Sequence, residues 1–138
     1  MVSGVFEDYL EAILVVEGRR GFVRTKDLAR ELSVSPPSVS EMLSKLSTAG
    51  LIEYERYQPV RLTPKGLRIA KAVYARHETI KKLLQTILVS DRTAEADACK
   101  IEHQLSDETI EQLRKFMEFL ESNQGYKDLK GDFRRHQG

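Results

Sequence analysis

Residues 35–46, SPPSVSEMLSKL, combine a helix start with a helical repeat of apolar side chains. Ser35 is a favoured N-cap residue, and Pro36 suits the first helical position because its fixed φ and missing N–H cost nothing there. Four apolar residues follow at spacings of three and four, namely Val39, Met42, Leu43 and Leu46. The segment is therefore predicted to be a helix that buries this face and stops at Gly50.

The neighbouring segments surround this helix with a recognisable order of elements. A helix over residues 4–17, ended by Gly18, and a second helix capped by Thr25 precede it, with a short turn at 33–35. Extended segments at 51–55 and 60–63 flank a turn at 56–59, and Thr63-Pro64 begins a long helix to about residue 88. Helix, turn, helix and hairpin is the order of a winged helix-turn-helix.

Two or three shorter helices are predicted after the long one. The fifth covers about 93–104 with Asp91 or Thr93 as its cap, the sixth covers about 107–122 with Asp107 as its cap, and residues 124–138 form a short helix or a frayed tail. The predicted fold class is mainly α. It has a winged helix-turn-helix over residues 1–72 and a helical domain over 73–138, and the helix at about 64–88 bridges the two.

The charge distribution points to nucleic acid for the middle of the chain. Residues 19–82 carry 14 Lys/Arg and 6 Asp/Glu, whereas residues 83–138 carry 8 and 11, although the whole chain has a net charge of only +1. A helix that enters a major groove needs short or polar outer side chains, and basic residues beside it can hold the phosphates. The predicted DNA contacts are Arg24, Lys26, Ser35, Pro36, Pro37, Ser38, Ser40, Glu41, Ser44, Lys45, Arg56 and Arg61.

Single residues of this set could equally coat a solvated helix or hairpin, and the argument for DNA rests on their agreement with the turn, the caps and the wing. Glu41 is the awkward member, because a carboxylate repels phosphates, although it can accept a hydrogen bond from a cytosine amino group.

Composition excludes several other classes. The chain has 138 residues, 41% hydrophobic and 31% charged, which is typical of a folded soluble protein of one domain or two small ones. No apolar run approaches the ~20 residues of a membrane span, and the first residues do not form a secretory signal. The single cysteine cannot form an internal disulfide. A cytoplasmic protein without a membrane partner is expected.

Six side chains at helical spacings could bind a metal ion. Cys99, Glu102 and His103 share one face of the fifth helix, Asp8 and Glu11 stand three apart on the first, and His77 lies on the long helix. This mixture suits Fe(II), Mn(II), Co(II) or Zn(II) better than calcium. Each residue alone also has an ordinary explanation, such as a buried thiol, a solvated carboxylate or a hydrogen-bonded histidine.

Together these features resemble the diphtheria-toxin-repressor family, and most closely its short members, the manganese transport regulators. The resemblance covers nearly the whole chain. It is carried by EDYLE at 7–11, SPPSVS at 35–40, LTPKG at 62–66, RHE at 76–78 and ACKIEHQLSD at 98–107. Because the resemblance stops where the short members end, we expect no counterpart of the SH3-like domain of the longer iron regulators.

The resemblance implies a hybrid metal site. Asp8, Glu11, His77, Glu102 and His103 match ligands of the manganese type, while Cys99 replaces a glutamate and resembles the iron type. The ancillary site of the iron type would need an acid in place of Lys81 and a histidine in place of Glu95. Because a thiolate is a soft ligand, we expect Fe(II) first and Mn(II) next, with Co(II) or Zn(II) able to substitute in vitro.

The resemblance also implies a repressor of metal-uptake genes that binds double-stranded operator DNA as a homodimer through its C-terminal helices. We expect the exposed stripe Ile110, Leu113, Met117 and Leu120 to form the two-fold interface, and the ion to tie the first helix to the fifth. The alternative is a winged-helix regulator that is constitutive or responds to an organic ligand. A metal-dependent enzyme is not expected, because the sequence shows no separate general base, oxyanion loop or Gly-rich phosphate cradle.

Overall fold

The computed structural model describes residues 4–123 and 125–138. The described residues form two compact units, one that ends at Tyr74 and one that begins at Ala75. The described elements are α1 (Gly4–Arg20), α2 (Thr25–Leu32), α3 (Pro36–Thr48), β1 (Ile52–Glu53), β2 (Arg61–Leu62), α4 (Pro64–Thr86), α5 (Asp91–Ile101), α6 (Asp107–Ser122) and α7 (Tyr126–His136). The boundary between the units falls within α4. The predicted fold class, mainly helical with an N-terminal winged helix-turn-helix and a helical second part, is confirmed.

The first unit packs α1, α2, α3, the hairpin and the start of α4 around one apolar core. Leu10 and Ile13 of α1, Leu28 of α2, and Leu43 and Leu46 of α3 are fully buried. The start of α3 is as predicted, since the Ser35 side chain caps the helix by accepting from the backbone N–H of Ser38 at 3.3 Å. The apolar repeat of residues 35–46 thus orients the opposite face of α3 toward solvent.

Two helix ends in this unit differ from the prediction. α1 continues through Gly18 to Arg20, and the chain turns at Gly21, whose φ of 85° lies in the left-handed region that glycine tolerates. Thr25 is the first residue of α2, and Arg24 is its N-cap. Arg24 occupies that position because the Asp27 carboxylate accepts from the Arg24 backbone N–H at 2.9 Å.

The wing is a short hairpin anchored to the start of α4. β1 and β2 pair antiparallel, with Ile52 opposite Leu62, and are shorter than the predicted segments. The Thr63 hydroxyl donates to the Gly50 carbonyl at 2.8 Å and accepts from the Gly66 N–H at 3.1 Å. A Cβ added to Gly66 would lie 1.9 Å from the Leu51 carbonyl oxygen, so only glycine fits this close approach. The wing is thereby fixed at its base.

The second unit contains the end of α4 together with α5, α6 and α7. The N-caps of α5 and α6 are Ser90 and Ser106, whose side chains accept from the backbone N–H three residues later. The expected caps, Asp91 or Thr93 and Asp107, are therefore wrong. In both places the serine that precedes the aspartate has the extended backbone of an N-cap, and the aspartate occupies the first helical turn, where its charge favours the helix dipole.

The apolar stripe of α6 is also not the exposed surface that the sequence suggested. Met117 and Leu120 are buried at 3% and 8% exposure, whereas Phe116 and Phe119 are 50% and 58% exposed. The predicted stripe thus largely forms the inner face of α6, and the aromatic pair lies outside. α7 is a helix that contacts α4 through the hydroxyls of Tyr126 and Thr86, 2.9 Å apart. No described helix has the length and apolar composition to cross a membrane.

Candidate metal centre and DNA-binding surface

His77 is the centre of a cluster of metal-binding side chains in the second unit. It lies on α4, and its Nδ1 is 2.9 Å from Glu102 Oε2 and 3.8 Å from Cys99 Sγ. Cys99 is in the last turn of α5, and Glu102 is the C-cap of the same helix. Their spacing of three places the thiol and the carboxylate on the side of α5 that faces one nitrogen of the imidazole.

His103 extends this cluster beyond the end of α5. Its Nε2 lies 3.3 Å from Glu102 Oε1, so the two oxygens of Glu102 contact two different imidazoles. The fifth helix ends at Ile101 and not at about residue 104, so His103 belongs to the turn that follows. Of the six predicted ligands, the structure brings together His77, Cys99, Glu102 and His103. A thiol, a carboxylate and two imidazoles fit a divalent transition metal better than calcium or magnesium.

The cluster strongly favours a positive charge on His77. The hydrogen bonds to Cys99 and then to Glu102 raise the pKa of His77 from 6.5 to about 11, against the opposing effect of burial. Since a metal ion binds the neutral imidazole, a proton and a metal ion would compete for the same ring nitrogen of His77.

Arg76 supports the same segment from α4. Its Nη1 donates to the Glu102 carbonyl at 3.3 Å, and its Nη2 lies 4.0 Å from Asp107. These contacts satisfy a carbonyl at the end of α5, where backbone acceptors lack helical partners. Arg76 thereby fixes the residue that carries the carboxylate of the cluster.

Sequence reasoning missed the contacts on the other side of His77. Glu95 Oε1 lies 2.9 Å from His77 Nε2, and Glu95 Oε2 lies 3.0 Å from Lys81 Nζ. These contacts with His77 and Lys81 lower the pKa of Glu95, although desolvation by burial, the largest single effect, acts in the opposite direction. Helical spacing could have indicated these contacts, since Lys81 is four residues from His77 on one helix and Glu95 is four residues from Cys99 on the other.

The two remaining predicted ligands belong to α1 of the first unit. Asp8 and Glu11 are three residues apart and therefore share a face of that helix, and Glu11 is half-buried. Their participation in a metal site stays a prediction.

The predicted DNA contacts are almost all on the surface of the first unit. Ser40 is half-buried, and the exposed members are Arg24, Lys26, Ser35, Pro36, Pro37, Ser38, Glu41, Ser44, Lys45, Arg56 and Arg61. They occupy the start of α2, the outer face of α3 and the hairpin. Some hydroxyls already have partners, because Ser44 Oγ donates to the Ser40 carbonyl at 3.1 Å and Ser35 Oγ donates to Ser38 Oγ at 2.9 Å.

Two contacts refine the charge of this surface. Lys45 Nζ lies 3.6 Å from Glu41 Oε1, so the carboxylate that seemed awkward has a cation one turn away. The Phe22 ring is contacted by the guanidinium groups of Arg20 and Arg24, 5.1 and 5.5 Å from its centroid. Phe22 was not among the predicted residues. Its ring helps to orient Arg24 beside α2.

Comparison with protein families matches both units. A family model described as "Iron dependent repressor, N-terminal DNA binding domain" matches residues 1–60. A second, "Iron dependent repressor, metal binding and dimerisation domain", matches residues 63–128.

Individual relatives agree with these matches. An uncharacterised HTH-type transcriptional regulator of Methanocaldococcus jannaschii is 41% identical over 119 residues, which are 85% of this chain and 95% of the relative. The HTH-type transcriptional regulator MntR of Bacillus subtilis is 34% identical over 131 residues, covering 94% of this chain and 92% of the relative.

Solved structures show the same similarity over part of their length. The manganese regulator SloR matches with a TM-score of 0.72 and 32% identity, over 83% of this chain and 54% of that chain. A manganese-dependent transcriptional repressor in complex with manganese matches with a TM-score of 0.76 and 29% identity, over 83% of this chain and 53% of that chain. The chain therefore spans about half the length of these solved relatives.

Proposed function

We propose a specific role for this chain, which belongs to the iron-dependent repressor family of metal-dependent, DNA-binding transcriptional repressors. The role is repression of metal-uptake genes when Fe(II), or in second place Mn(II), is abundant. The observation that carries it lies in the second unit, where buried His77 contacts buried Glu102 at 2.9 Å and the exposed Cys99 thiol at 3.8 Å. Residues 1–72 would bind DNA, and residues 73–138 would bind metal and dimerise.

The proposed ligand set includes both units of the chain. His77, Cys99, Glu102 and His103 would be joined by Asp8 and Glu11 from α1. The ion would supply the positive charge that lets several carboxylates and a thiolate stay close together. Asp8 and Glu11 would be drawn to that charge, so metal binding and the DNA-competent arrangement would favour each other. Such couplings are typically about 1–3 kcal/mol, and they are reciprocal, so operator DNA should tighten metal binding equally.

The choice of Fe(II) over Mn(II) rests on Cys99. A thiolate is a softer ligand than a carboxylate and favours Fe(II), Co(II) and Zn(II) over Mn(II). The similar solved proteins include one described as a manganese regulator and one described as a manganese-dependent transcriptional repressor, and this supports Mn(II) as the second candidate. Replacing the thiol by a carboxylate, Cys99→Glu, should therefore shift the metal response toward Mn(II).

Operator recognition would use α3 in the major groove and the hairpin along the phosphates. The protein would act as a homodimer, so its two copies of α3 would contact half-sites about one helical turn (~34 Å) or a multiple apart. Phe116 and Phe119, with ring centroids 6.5 Å apart and both exposed, are the apolar surface of α6 that we assign to the two-fold contact. They replace Met117 and Leu120 in that role.

The decisive experiment measures DNA binding under metal-buffered, anaerobic conditions. A target duplex is selected from a random pool with Fe(II), and its affinity is then titrated with Fe(II), Mn(II), Co(II) and Zn(II) and with a chelator. Glu11→Lys should abolish metal stimulation without unfolding the chain. Glu17→Lys, an exposed acid on the same helix, is the matched control and should respond normally. Equal affinity with metal and with chelator would instead support a constitutive or organic-ligand-responsive regulator.

A further inference from the structure

The tip of the wing carries an aromatic side chain that takes no part in the core. Tyr57 is 81% exposed, which makes it the most exposed of the large hydrophobic side chains that the structure describes. The hairpin is fixed at its base, where the Thr63 hydroxyl donates to the Gly50 carbonyl at 2.8 Å. The ring is therefore presented to solvent by an anchored hairpin, within the residues that match a DNA-binding domain.

The backbone at Tyr57 is strained for a residue of this type. The Gln58 N–H donates to the Glu55 carbonyl at 3.1 Å, and this bond closes a four-residue turn whose third position is Tyr57. Tyr57 has a φ of 68°, in the left-handed region. A turn that needs a positive φ at its third position normally has glycine or asparagine there, because a Cβ is crowded in that conformation. A tyrosine at this position therefore destabilises the turn relative to a glycine.

The contacts of the ring within the chain do not account for this strain. The Arg56 guanidinium lies 5.1 Å from the centroid of the Tyr57 ring. A cation–π contact at an exposed site is weak, and it is smaller than the usual penalty of the left-handed conformation. Burial adds little, since most of the side chain remains in solvent. Strained residues that the surrounding structure holds in place occur mainly at functional sites, so we expect the ring to have a partner outside the chain.

DNA offers this ring a complementary place. With α3 in the major groove, the hairpin would lie along the phosphates, and the minor groove begins on the far side of that sugar-phosphate strand. The minor groove is about 6 Å wide, which is too narrow for a helix but wide enough for one side chain at a hairpin tip. Proteins that bind this groove commonly combine a basic side chain with an apolar one, and Arg56 and Tyr57 are such a pair.

We propose that Tyr57 places its ring in the minor groove beside the half-site and thereby discriminates A·T from G·C pairs at the flank of the operator. The inference rests on the proposed operator recognition only in placing the wing beside DNA. Arg56 contacts the neighbouring phosphate without sequence preference, and the ring adds the sequence dependence. A G·C pair places the guanine amino group in the floor of the minor groove, where it obstructs the ring, whereas an A·T pair leaves that floor open.

The test compares three duplexes that share the selected half-sites and differ only in the base pairs directly outside them, which are A·T, G·C or inosine·C. An inosine·C pair lacks the guanine amino group, so it combines the minor-groove pattern of A·T with the major-groove pattern of G·C. With Fe(II) under anaerobic conditions, the wild type should bind the A·T and inosine·C duplexes equally. It should bind the G·C duplex about 5–10-fold more weakly, at the lower end of the usual cost of one altered base pair.

Two variants connect this preference to the ring. Tyr57→Gly removes the ring and relieves the positive φ, so it should bind the three duplexes equally while its urea midpoint stays at or above that of the wild type. Tyr57→Asn also tolerates a positive φ and should behave in the same way. Neither change removes a charge, so the slope of log affinity against log salt concentration should stay as in the wild type. Gln58→Ala, at the next exposed position of the turn, is the matched control and should keep the wild-type preference.

Three results would overturn the role of Tyr57 alone. The first is a wild type that binds all three duplexes equally, or that binds inosine·C as weakly as G·C, since the minor groove would then not be read. The second is a Tyr57→Gly variant that keeps the wild-type preference. The third is a Tyr57→Gly variant with a lower urea midpoint and an equal loss of affinity for every duplex, which would give the ring a structural role. A wild type that binds none of the duplexes with Fe(II) would refute the proposed function instead, so the two failures are distinguishable.

Discussion

Gly66→Ala should destabilise the first unit, although glycine-to-alanine changes in helices normally stabilise. Gly66 lies in the first turn of α4, and an added Cβ would be 1.9 Å from the Leu51 carbonyl oxygen and 2.9 Å from its carbon. These are backbone atoms and cannot rotate away. Forcing extra volume into packed structure costs typically about 1–3 kcal/mol. Moving the strand would also strain the hydrogen bonds of Thr63 to Gly50 and Gly66, each contributing about 1 kcal/mol.

If the two bonds are weakened by about 1 kcal/mol in total and not broken, the expected loss is about 2–4 kcal/mol, measured by urea denaturation. Gly18→Ala is the matched control, since nothing lies within 4 Å of a Cβ at that position of α1. It should gain about 0.5–1 kcal/mol. Operator affinity should fall only for Gly66→Ala, because Leu51 leads into the wing. Equal stability of the two variants would show that the close approach of Gly66 to Leu51 does not constrain the hairpin.

Three further outcomes are expected. The raised pKa of His77, about 11 against 6.5 when unfolded, stabilises the metal-free fold fully below pH 6.5. That contribution is lost as pH rises toward 11, by up to about 1.4 kcal/mol per pH unit. In the His77→Gln variant, the free energy of unfolding should therefore fall less between pH 7 and pH 9 than in the wild type, as measured by urea denaturation at both pH values. Phe119→Glu should convert the dimer to a monomer, as measured by sedimentation. Tyr57→Glu, at the exposed tip of the wing, is the control and should remain a dimer. A dimeric Phe119→Glu variant would show that α6 does not form the interface. Arg56→Ala should weaken binding to all DNA duplexes alike and should lower the slope of log affinity against log salt concentration by about one. A loss of affinity that depends on the DNA sequence would contradict a phosphate contact.

The winged fold was predictable because its signals are local. Ser35 and Pro36 specify a helix start through their own backbone preferences, and the apolar repeat of α3 needs no distant partner. The helix caps were harder, since Ser90-Asp91 and Ser106-Asp107 each offer two good capping residues in succession. Periodicity cannot decide between them, because the choice depends on which residue takes the extended backbone.

Helical spacing alone could predict the candidate site only along single helices, and it took the family resemblance to join His77 with Cys99 and Glu102. Spacing placed Cys99 and Glu102 together, but the contact of His77 with them depends on how α4 and α5 pack. The same packing creates the pairing of Glu95 with Lys81, which involves no motif. The exposure of Phe116 could not be predicted either. Apolar residues occur on both sides of α6, so a helical period of 3.6 residues does not show which side faces the core.

The hydroxyls of Ser38 and Ser44 on α3 differ in their hydrogen-bonding roles. Ser44 commits its proton to the Ser40 carbonyl and can thereafter only accept, while Ser38 accepts from Ser35 and keeps its own proton to give. In a major groove, the former would seek the amino group of adenine or cytosine and the latter a purine N7 or a carbonyl oxygen. Two chemically identical side chains would thus recognise different bases, because their existing hydrogen bonds leave one hydroxyl only able to accept and the other still able to donate.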